Sequence, residues 1–401
     1  MDNAYLYGGI RTPFGRHSGC LAGVRPDDLM GDTIAALLKR LTFPGADVED
    51  VIIGCCNQAG EDSRNVARRA ALLAGLPVEV AGVTVHRQCG SGLNAVLDAA
   101  RSAEVGMGEL FVAGGVESMS RGPFVMAKAE KAFSPQIKVY DSSRGSRFPN
   151  RRIVEQFGDH EMPETAEIVG REHGIGRDES DAFALASQLK YAAAKAGGFY
   201  AQELCPVEVP GAKRGETRTI DEDEHPRSDS TPEGLAKLKP IYADGVVTAG
   251  NASGINDGAC TLLVGTRQAG DRAGGIKPLA RVVAGAVAGV EPRIMGLGPV
   301  PATKKVLERA GLSLADMDVI EINEAFATQV LGCLKLMDLA TDDSRINPNG
   351  GAIAIGHPLG ASGARLTLTA LNQLHRSGGR YALVTLCVGV GQGIAAVLEK
   401  V

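Results

Sequence analysis

Two segments of the chain carry the same order of polar and apolar positions. Residues 46–53 read ADVEDVII and residues 315–322 read ADMDVIEI, each an acidic turn running into an apolar, β-branched strand. Val51 and Val319 stand 268 positions apart (319 − 51), and the same step carries Cys89 to His357 (357 − 89). Cys89 lies in the glycine-rich turn 88–92 (QCGSG) and His357 in 356–363 (GHPLGASG). Each turn opens a run of apolar residues at helical spacing. The chain therefore reads as one module written twice. If the copies pack about a pseudo-twofold axis, both turns face one cleft and a Cys–His pair forms there.

The same patterning predicts strands at 5–10, 50–53, 81–85 and 110–113, with helices at 28–41, 62–73 (started by an Asp62 cap) and 91–103. Strands alternating with helices argue for a parallel sheet covered on both faces. From 118 to 248 the character changes. That stretch is richer in charge, holds MPETAE and DEDEHPR, and has one strong helical pattern at 179–196, so it reads as an inserted loop domain. Strand patterns resume at 246–248, 259–264 and 279–287. The second copy follows with helix 301–310, strand 319–322, helices 324–337 and 362–375, strand 381–387, and a hairpin returning as 394–398. The expected class is α/β, with five strands of mixed direction per copy. The divisions are 1–118 with 249–271, then 119–248, then 272–401.

Composition narrows the function classes. At 401 residues more than one domain is expected, and 44% hydrophobic with 22% charged residues is ordinary for a soluble globular chain. Net charge is −5, from 42 basic against 47 acidic side chains, so nothing global favours nucleic acid or an anionic membrane. The first residues lack a basic region followed by a long apolar one, and no stretch approaches the ~18 apolar residues of a membrane span. A soluble, cytoplasmic protein is expected. The eight cysteines are scattered without a CxxC pair, which argues against a disulfide framework and against structural zinc.

Cys89 has a strand pattern before it and Gly90, Ser91 and Gly92 after it. A thiol at a helix N-terminus feels the free N–H groups, which lower its pKa and favour thiolate. The same N–H groups can hold an oxyanion. A cysteine merely filling a tight turn is the alternative. His357, between glycine-rich turns, is off any apolar helical face, and its imidazole can take the proton of Cys89. Cys387 ends a strand before Gly389, Gly391 and Gly393 and offers a second thiol for acid/base work. Asn323 follows strand 319–322, placed to orient a water or donate to an oxyanion; a helix cap is the competing reading.

The segments QCGSG, TAGNASGINDGA (248–259), NEAFA (323–327), NPNGGAIAIGHPLGASGAR (347–365) and CVGVGQG (387–393) together resemble the motifs of the thiolase family, over essentially the full chain. The resemblance implies a layered αβαβα fold of two five-stranded sheets. It implies that Cys89 is the acylated nucleophile, His357 its base, and Cys387 the group that moves a proton on the α-carbon of acetyl-CoA. By the same resemblance Asn323 holds a water that forms one oxyanion hole with His357, and the N–H groups of Cys89 and Gly389 form the other. Ser253 would meet pantetheine, and Phe326 and Met162 would line the acyl pocket. CoA and acyl-CoA are the implied partners, with no metal, no permanently bound cofactor and a homotetramer (dimer of dimers). Lys213 and Arg214 are candidates for the CoA phosphates.

Within the family, NQAGEDSRNVAR (57–68), GGVESMSRGPFVMAKAE (114–130), RGSRF (144–148) and MPETAE (162–167) look most like the branch that cleaves 3-oxoadipyl-CoA in aromatic degradation. Arg144, Arg147, Arg151 and Arg152 then become candidates for the substrate carboxylate, with CoA phosphates or a solvated face as alternatives. Two features depart from the family. Glu161 stands where many biosynthetic members carry His, and the loop 138–152 differs in detail; both bear on chain preference. The alternatives are a biosynthetic acetoacetyl-CoA thiolase, a general 3-ketoacyl-CoA thiolase, a synthase-type condensing enzyme, or a non-catalytic lipid-binding relative.

Overall fold

The computed structural model describes residues 1–401 except Asp2, Ala212 and Arg214. Its centre is a ten-stranded sheet whose main path runs Val319–Ile322, Tyr381–Val388, Gln392–Lys400, Ala280–Gly289, Tyr5–Arg11, Asn256–Gly265, Leu110–Ser118, Asp50–Gly54 and Ala81–Val85. The short strand Gly15–Arg16 pairs with Asn256–Gly265 off that path. Asp50–Gly54 is parallel to both of its neighbours, and Val319–Ile322 is parallel to Tyr381–Val388. The other pairings on the path are antiparallel. The two copies meet at a brief contact, Tyr5 with Arg281 and Leu6 with Ala280, which joins their sheets edge to edge. In the second copy the outermost strand position is reduced to a single bridge between Ile320 and Ile346.

Alternation along each strand sends side chains into separate layers. Leu110, Val112 and Val116 pack against Leu29, Met30, Ile34 and Leu37 of the helix Pro26–Leu41 and Val66, Ala67 and Ala70 of the helix Val66–Leu73. Phe111 and Ala113 point the other way, into a cluster with Leu93 and Leu97 of the helix Ser91–Glu104 and Leu366, Leu371 and Leu374 of the helix Leu359–Ser377. On the far side Leu383, Ala395 and Val397 pack against Val306 and Val330 of the helices Pro299–Ala310 and Ala327–Leu336. The order of layers is helix, sheet, paired central helices, sheet, helix. Truncating one of the central leucines to Ala would cost about 2–5 kcal/mol.

The central helices cross where side chains are absent. A Cβ on Gly92 would sit 2.6 Å from the Gly360 carbonyl oxygen, and one on Gly115 would collide with the same carbonyl. This close approach puts the first turns of both helices, with Cys89 and His357 just ahead of them, side by side.

Several boundaries differ from the sequence expectation for identifiable reasons. The helix expected from Asp62 starts at Val66, because Ser63 and Arg64 hold left-handed φ of 50° and 69°, and Asn65 caps it by accepting from the Arg68 N–H at 3.2 Å. The helix expected from Glu324 starts at Ala327, because Phe326 stays extended and Ala252 bridges to it. The strand expected at 246–248 is a turn held by a bridge between Pro240 and Thr248. The inserted stretch contains Arg177–Ala196, near its predicted place, and also the helices Arg151–Phe157, Met162–His173 and Pro232–Ala236. Among the described residues no helix is long and apolar enough to cross a membrane.

Candidate active site

The turn before Ser91–Glu104 is held tightly. Gln88 takes φ +45°, a left-handed conformation costly for a side chain this size, and its carbonyl accepts from Ser91 Oγ at 2.7 Å and Cys56 Sγ at 3.1 Å. Cys89 follows, 9% exposed. Gly90 lets the turn press on the last hairpin, where an added Cβ would lie 2.9 Å from Val388 and Ile394. That contact brings the Gly389 N–H to Cys89.

The expected low thiol pKa is corrected by burial. The Cys89 thiol is pushed up to about 11, because desolvation outweighs the N–H groups of Gly389 and of Cys89 itself, and the Glu117 carboxylate raises it further. Cys89 therefore rests as a thiol and needs a base. The helix begins two residues later, with Gly90 as its cap, so the dipole does not win.

His357 is 5% exposed and held on three sides. Its N–H donates to Asn256 Oδ1 at 2.9 Å, Nδ1 lies 2.6 Å from Ser362 Oγ, and Nε2 lies 3.3 Å from Asn323 Nδ2. Ser362 Oγ donates its one proton to the Pro358 carbonyl at 2.9 Å. The hydroxyl must then accept from His357 Nδ1–H, which leaves Nε2 with its lone pair. Desolvation first, and the Arg365 guanidinium second, push the imidazole down to about 3, so His357 is neutral at physiological pH. A buried neutral imidazole whose Nε2 lone pair is held only by the Asn323 amide can exchange that contact for a proton.

Cys387 is fully buried at the end of Tyr381–Val388, its thiol pushed up by burial, by Cys89 and by Cys333. It shares an apolar cluster with Phe326, Met295, Ala325 and Ala252. Asn323 is fully buried, its N–H donating to the Thr385 carbonyl at 3.0 Å, and its Oδ1 has no partner among the described residues. The Ser253 N–H donates to the Ala325 carbonyl at 2.9 Å, stitching the 248–259 segment to the NEAFA loop. Glu324 keeps that loop from becoming helix, accepting from Ser187 Oγ (2.7 Å), Asn347 Nδ2 (2.8 Å) and the Ile353 N–H (3.1 Å).

Cys89 thus lies by the Gly389 N–H and acts on Cys387, His357 lies against Asn323, and Phe326 packs with Cys387. Met162, 39% exposed, opens the helix Met162–His173 outside that cluster. Lys213 is exposed on the turn after Val207–Pro210, 3.9 Å from Glu216, and Arg214 lies outside the described residues. The four arginines occupy the 141–152 stretch, where Arg144 pairs with Asp141 at 3.6 Å and Arg151 with Glu155 at 2.6 Å. Sequence reasoning missed Ser362, Asn256, Glu324 and Glu117. Glu117 did leave a signal, as the one charge in LFVAGGVES, a strand buried throughout.

A thiol, a neutral imidazole, a second thiol and paired backbone donors are the groups that acyl transfer through a cysteine adduct requires. In agreement, the family description "Thiolase, N-terminal domain" matches residues 5–268 and "Thiolase, C-terminal domain" matches residues 276–400. The chain belongs to the thiolase family of acyltransferases. It is 56% identical over 403 residues, covering 100% of both chains, to the beta-ketoadipyl-CoA thiolase of Escherichia coli, and 55% identical with the same coverage to that of Acinetobacter baylyi. Among solved structures, the Bacillus anthracis acetyl-CoA acetyltransferase superposes with a TM-score of 0.92 at 38% identity, covering 100% of this chain and 99% of that one. Human mitochondrial 3-ketoacyl-CoA thiolase in complex with CoA superposes at 0.91, again at 38% identity, covering 100% and 98%.

Proposed function

We propose that this enzyme cleaves 3-oxoadipyl-CoA with CoA, giving succinyl-CoA and acetyl-CoA through a succinyl-Cys89 intermediate. Support for the chemistry comes chiefly from one observation, a buried thiol that rests protonated and a neutral His357 whose Nε2 keeps its lone pair, facing only the Asn323 amide at 3.3 Å. His357 takes the Cys89 proton as sulfur attacks the 3-oxo carbon, and the Gly389 and Cys89 N–H groups stabilise the oxyanion. The C2–C3 bond then breaks. Acetyl-CoA leaves as an enolate, stabilised near Asn323 and His357, and Cys387 protonates its α-carbon. CoA thiol finally takes the acyl group, its proton restoring Cys387 while the departing Cys89 recovers its own from His357, so no metal or redox group enters the balance.

Support for the dicarboxylic substrate comes from the identity to relatives named as beta-ketoadipyl-CoA thiolases. Arg144, Arg147, Arg151 and Arg152 would meet its distal carboxylate. Ser253 and Met162 would contact pantetheine and acyl chain beside Phe326, and Lys213 with Arg214 the CoA phosphates. The three-part division at 118, 248 and 271 belongs to the same reading. So does a homotetramer, since Val83 on the edge strand Ala81–Val85 and Phe124, Met126, Phe133 and Ile137 in the inserted stretch are exposed apolar surface that other copies would cover. Eight unpaired cysteines fit a reducing, cytoplasmic compartment.

A substrate panel tests this reading. With CoA, the purified enzyme should turn over 3-oxoadipyl-CoA with kcat/KM about tenfold or more above acetoacetyl-CoA and long-chain 3-oxoacyl-CoAs. Replacing the four arginines by Ala should raise KM for 3-oxoadipyl-CoA about tenfold and leave that for acetoacetyl-CoA unchanged. Equal losses on both would assign the arginines to CoA or to the fold, and a preference for acetoacetyl-CoA would overturn the substrate.

A further inference from the structure

We propose that Glu117 is a positioning residue, holding the Cys89 turn and the His357 turn at a fixed separation by accepting backbone N–H groups from both copies of the module. The inference rests on the acyl-transfer reading above and adds a residue to it.

Glu117 is 2% exposed, on the face of Leu110–Ser118 that looks into the central helices. One carboxylate oxygen accepts from the Cys56 N–H at 3.0 Å and the Gly360 N–H at 2.9 Å; the other accepts from the Asn57 N–H at 3.0 Å. Cys55 Sγ lies 3.9 Å away as a weak donor. Every partner donates, as an ionised carboxylate requires. Burial raises the carboxyl pKa and the N–H groups oppose that rise.

The three amides lead directly to the two turns. Cys56 donates its thiol proton to the Gln88 carbonyl at 3.1 Å, so the segment that Glu117 grips on one side also grips the residue before Cys89. On the other side Gly360 stands three residues beyond His357, in the first turn of Leu359–Ser377. That helix is capped by Pro358, which has no side-chain acceptor, so Glu117 supplies from the other copy the negative end its N-terminus favours. Glycines at 54, 115 and 360 leave no room for a side chain to do this locally: a Cβ on Gly360 would stand 2.7 Å from the Gly54 carbonyl and 3.1 Å from Cys55 Cα. A single carboxylate therefore bridges nucleophile and base without touching the reacting atoms.

Glu117→Gln keeps the size but replaces an acceptor by a donor facing N–H groups. Glu117→Asp keeps the charge but is one methylene too short to reach both sides. With the proposal right, both variants fold, with melting temperatures within a few degrees of wild type. Both lose kcat about 100-fold while KM for CoA stays within about twofold, because the reacting groups are misplaced and the CoA contacts are not. Glu117→Asp also alkylates Cys89 with iodoacetamide about tenfold more slowly, since the thiol sits away from its base. Alkylation needs no turnover, so it reads Glu117 separately from the acyl-transfer reading, whose own failure would appear as wild-type enzyme inactive on every 3-oxoacyl-CoA. Wild-type kcat in a folded Asp variant would overturn the proposal. So would unfolding of both variants, which would make Glu117 an element of the fold alone.

Discussion

The Cys89 turn and the His357 turn occupy equivalent places in the two copies, yet their surroundings differ in kind. The first rises from Ala81–Val85, a half-exposed strand at the sheet edge, and is braced by its own neighbours, Ser91 Oγ and the Arg87 N–H at 2.8 Å. The second is buried but for the half-buried Leu359 and is braced from the other copy, by Asn256 on the His357 N–H and Glu117 on the Gly360 N–H. A backbone device used twice thus presents opposite chemistry. Burial pushes both groups toward their neutral forms, but for a thiol that means holding its proton and for an imidazole giving it up. Both groups rest uncharged, one as thiol and the other as imidazole.

The largest test of that asymmetry is Cys89→Ala. Turnover should fall by about 10⁴-fold or more, and intact mass after incubation with acetyl-CoA should show no adduct. An acyl group found on Cys387 instead would reverse the assignment of the two thiols. Next comes Cys387→Ser. It should still acylate at Cys89, while exchange of acetyl-CoA α-protons with solvent falls about 10²–10⁴-fold, since a serine hydroxyl is too weak an acid for that step. Wild-type exchange would remove the role given to Cys387.

A smaller effect is expected from Ser362→Ala, which leaves His357 Nδ1–H without its acceptor. The imidazole loses its fixed tautomer, and kcat should fall about tenfold with KM little changed. An unaltered kcat would mean that Asn323 and the backbone alone orient the ring.

The smallest is a pH effect on stability. His357 has a folded pKa near 3, below its unfolded value of 6.5. The unfolded chain therefore binds the extra proton between those values. Stability from keeping His357 neutral is complete above pH 6.5 and is lost as pH falls toward 3, by about 1.4 kcal/mol per pH unit. Glu321 and Asp62, raised by burial to about 8 and about 6, work in the opposite sense. Denaturant melts of wild type and His357→Gln cancel those terms, and their stability difference should narrow with that slope as the solution is acidified from pH 6.5 to 4.5. A constant difference would place the imidazole in a wetter site than its burial implies.

Legibility in the sequence followed the range of the interaction. Strand and helix patterns of the duplicated module survive as the ten-stranded sheet and its central helices, since alternation and helical spacing are properties of a few consecutive residues. Cys89, His357, Cys387 and Asn323 stood out because each sits at a strand end or glycine-rich turn. The NEAFA loop misled, since its helical pattern is local while the hold of Ser187, Asn347 and Ile353 on Glu324 is not. Glu117 was visible only as a charge in an apolar strand, and its partners come from residues 56, 57 and 360.

The sequence by itself determined the double module, the class of the fold and the family, and it singled out the two thiols and the histidine that the proposed chemistry uses. All of these are written in local pattern or in short motifs. Only the tertiary structure decided that Cys89 rests protonated, that His357 carries its proton on Nδ1 and turns Nε2 to Asn323, that Asn65 and not Asp62 starts its helix, and that one carboxylate spans both turns. Desolvation and hydrogen-bond direction depend on which distant segments close around a group, and folding brings those segments together.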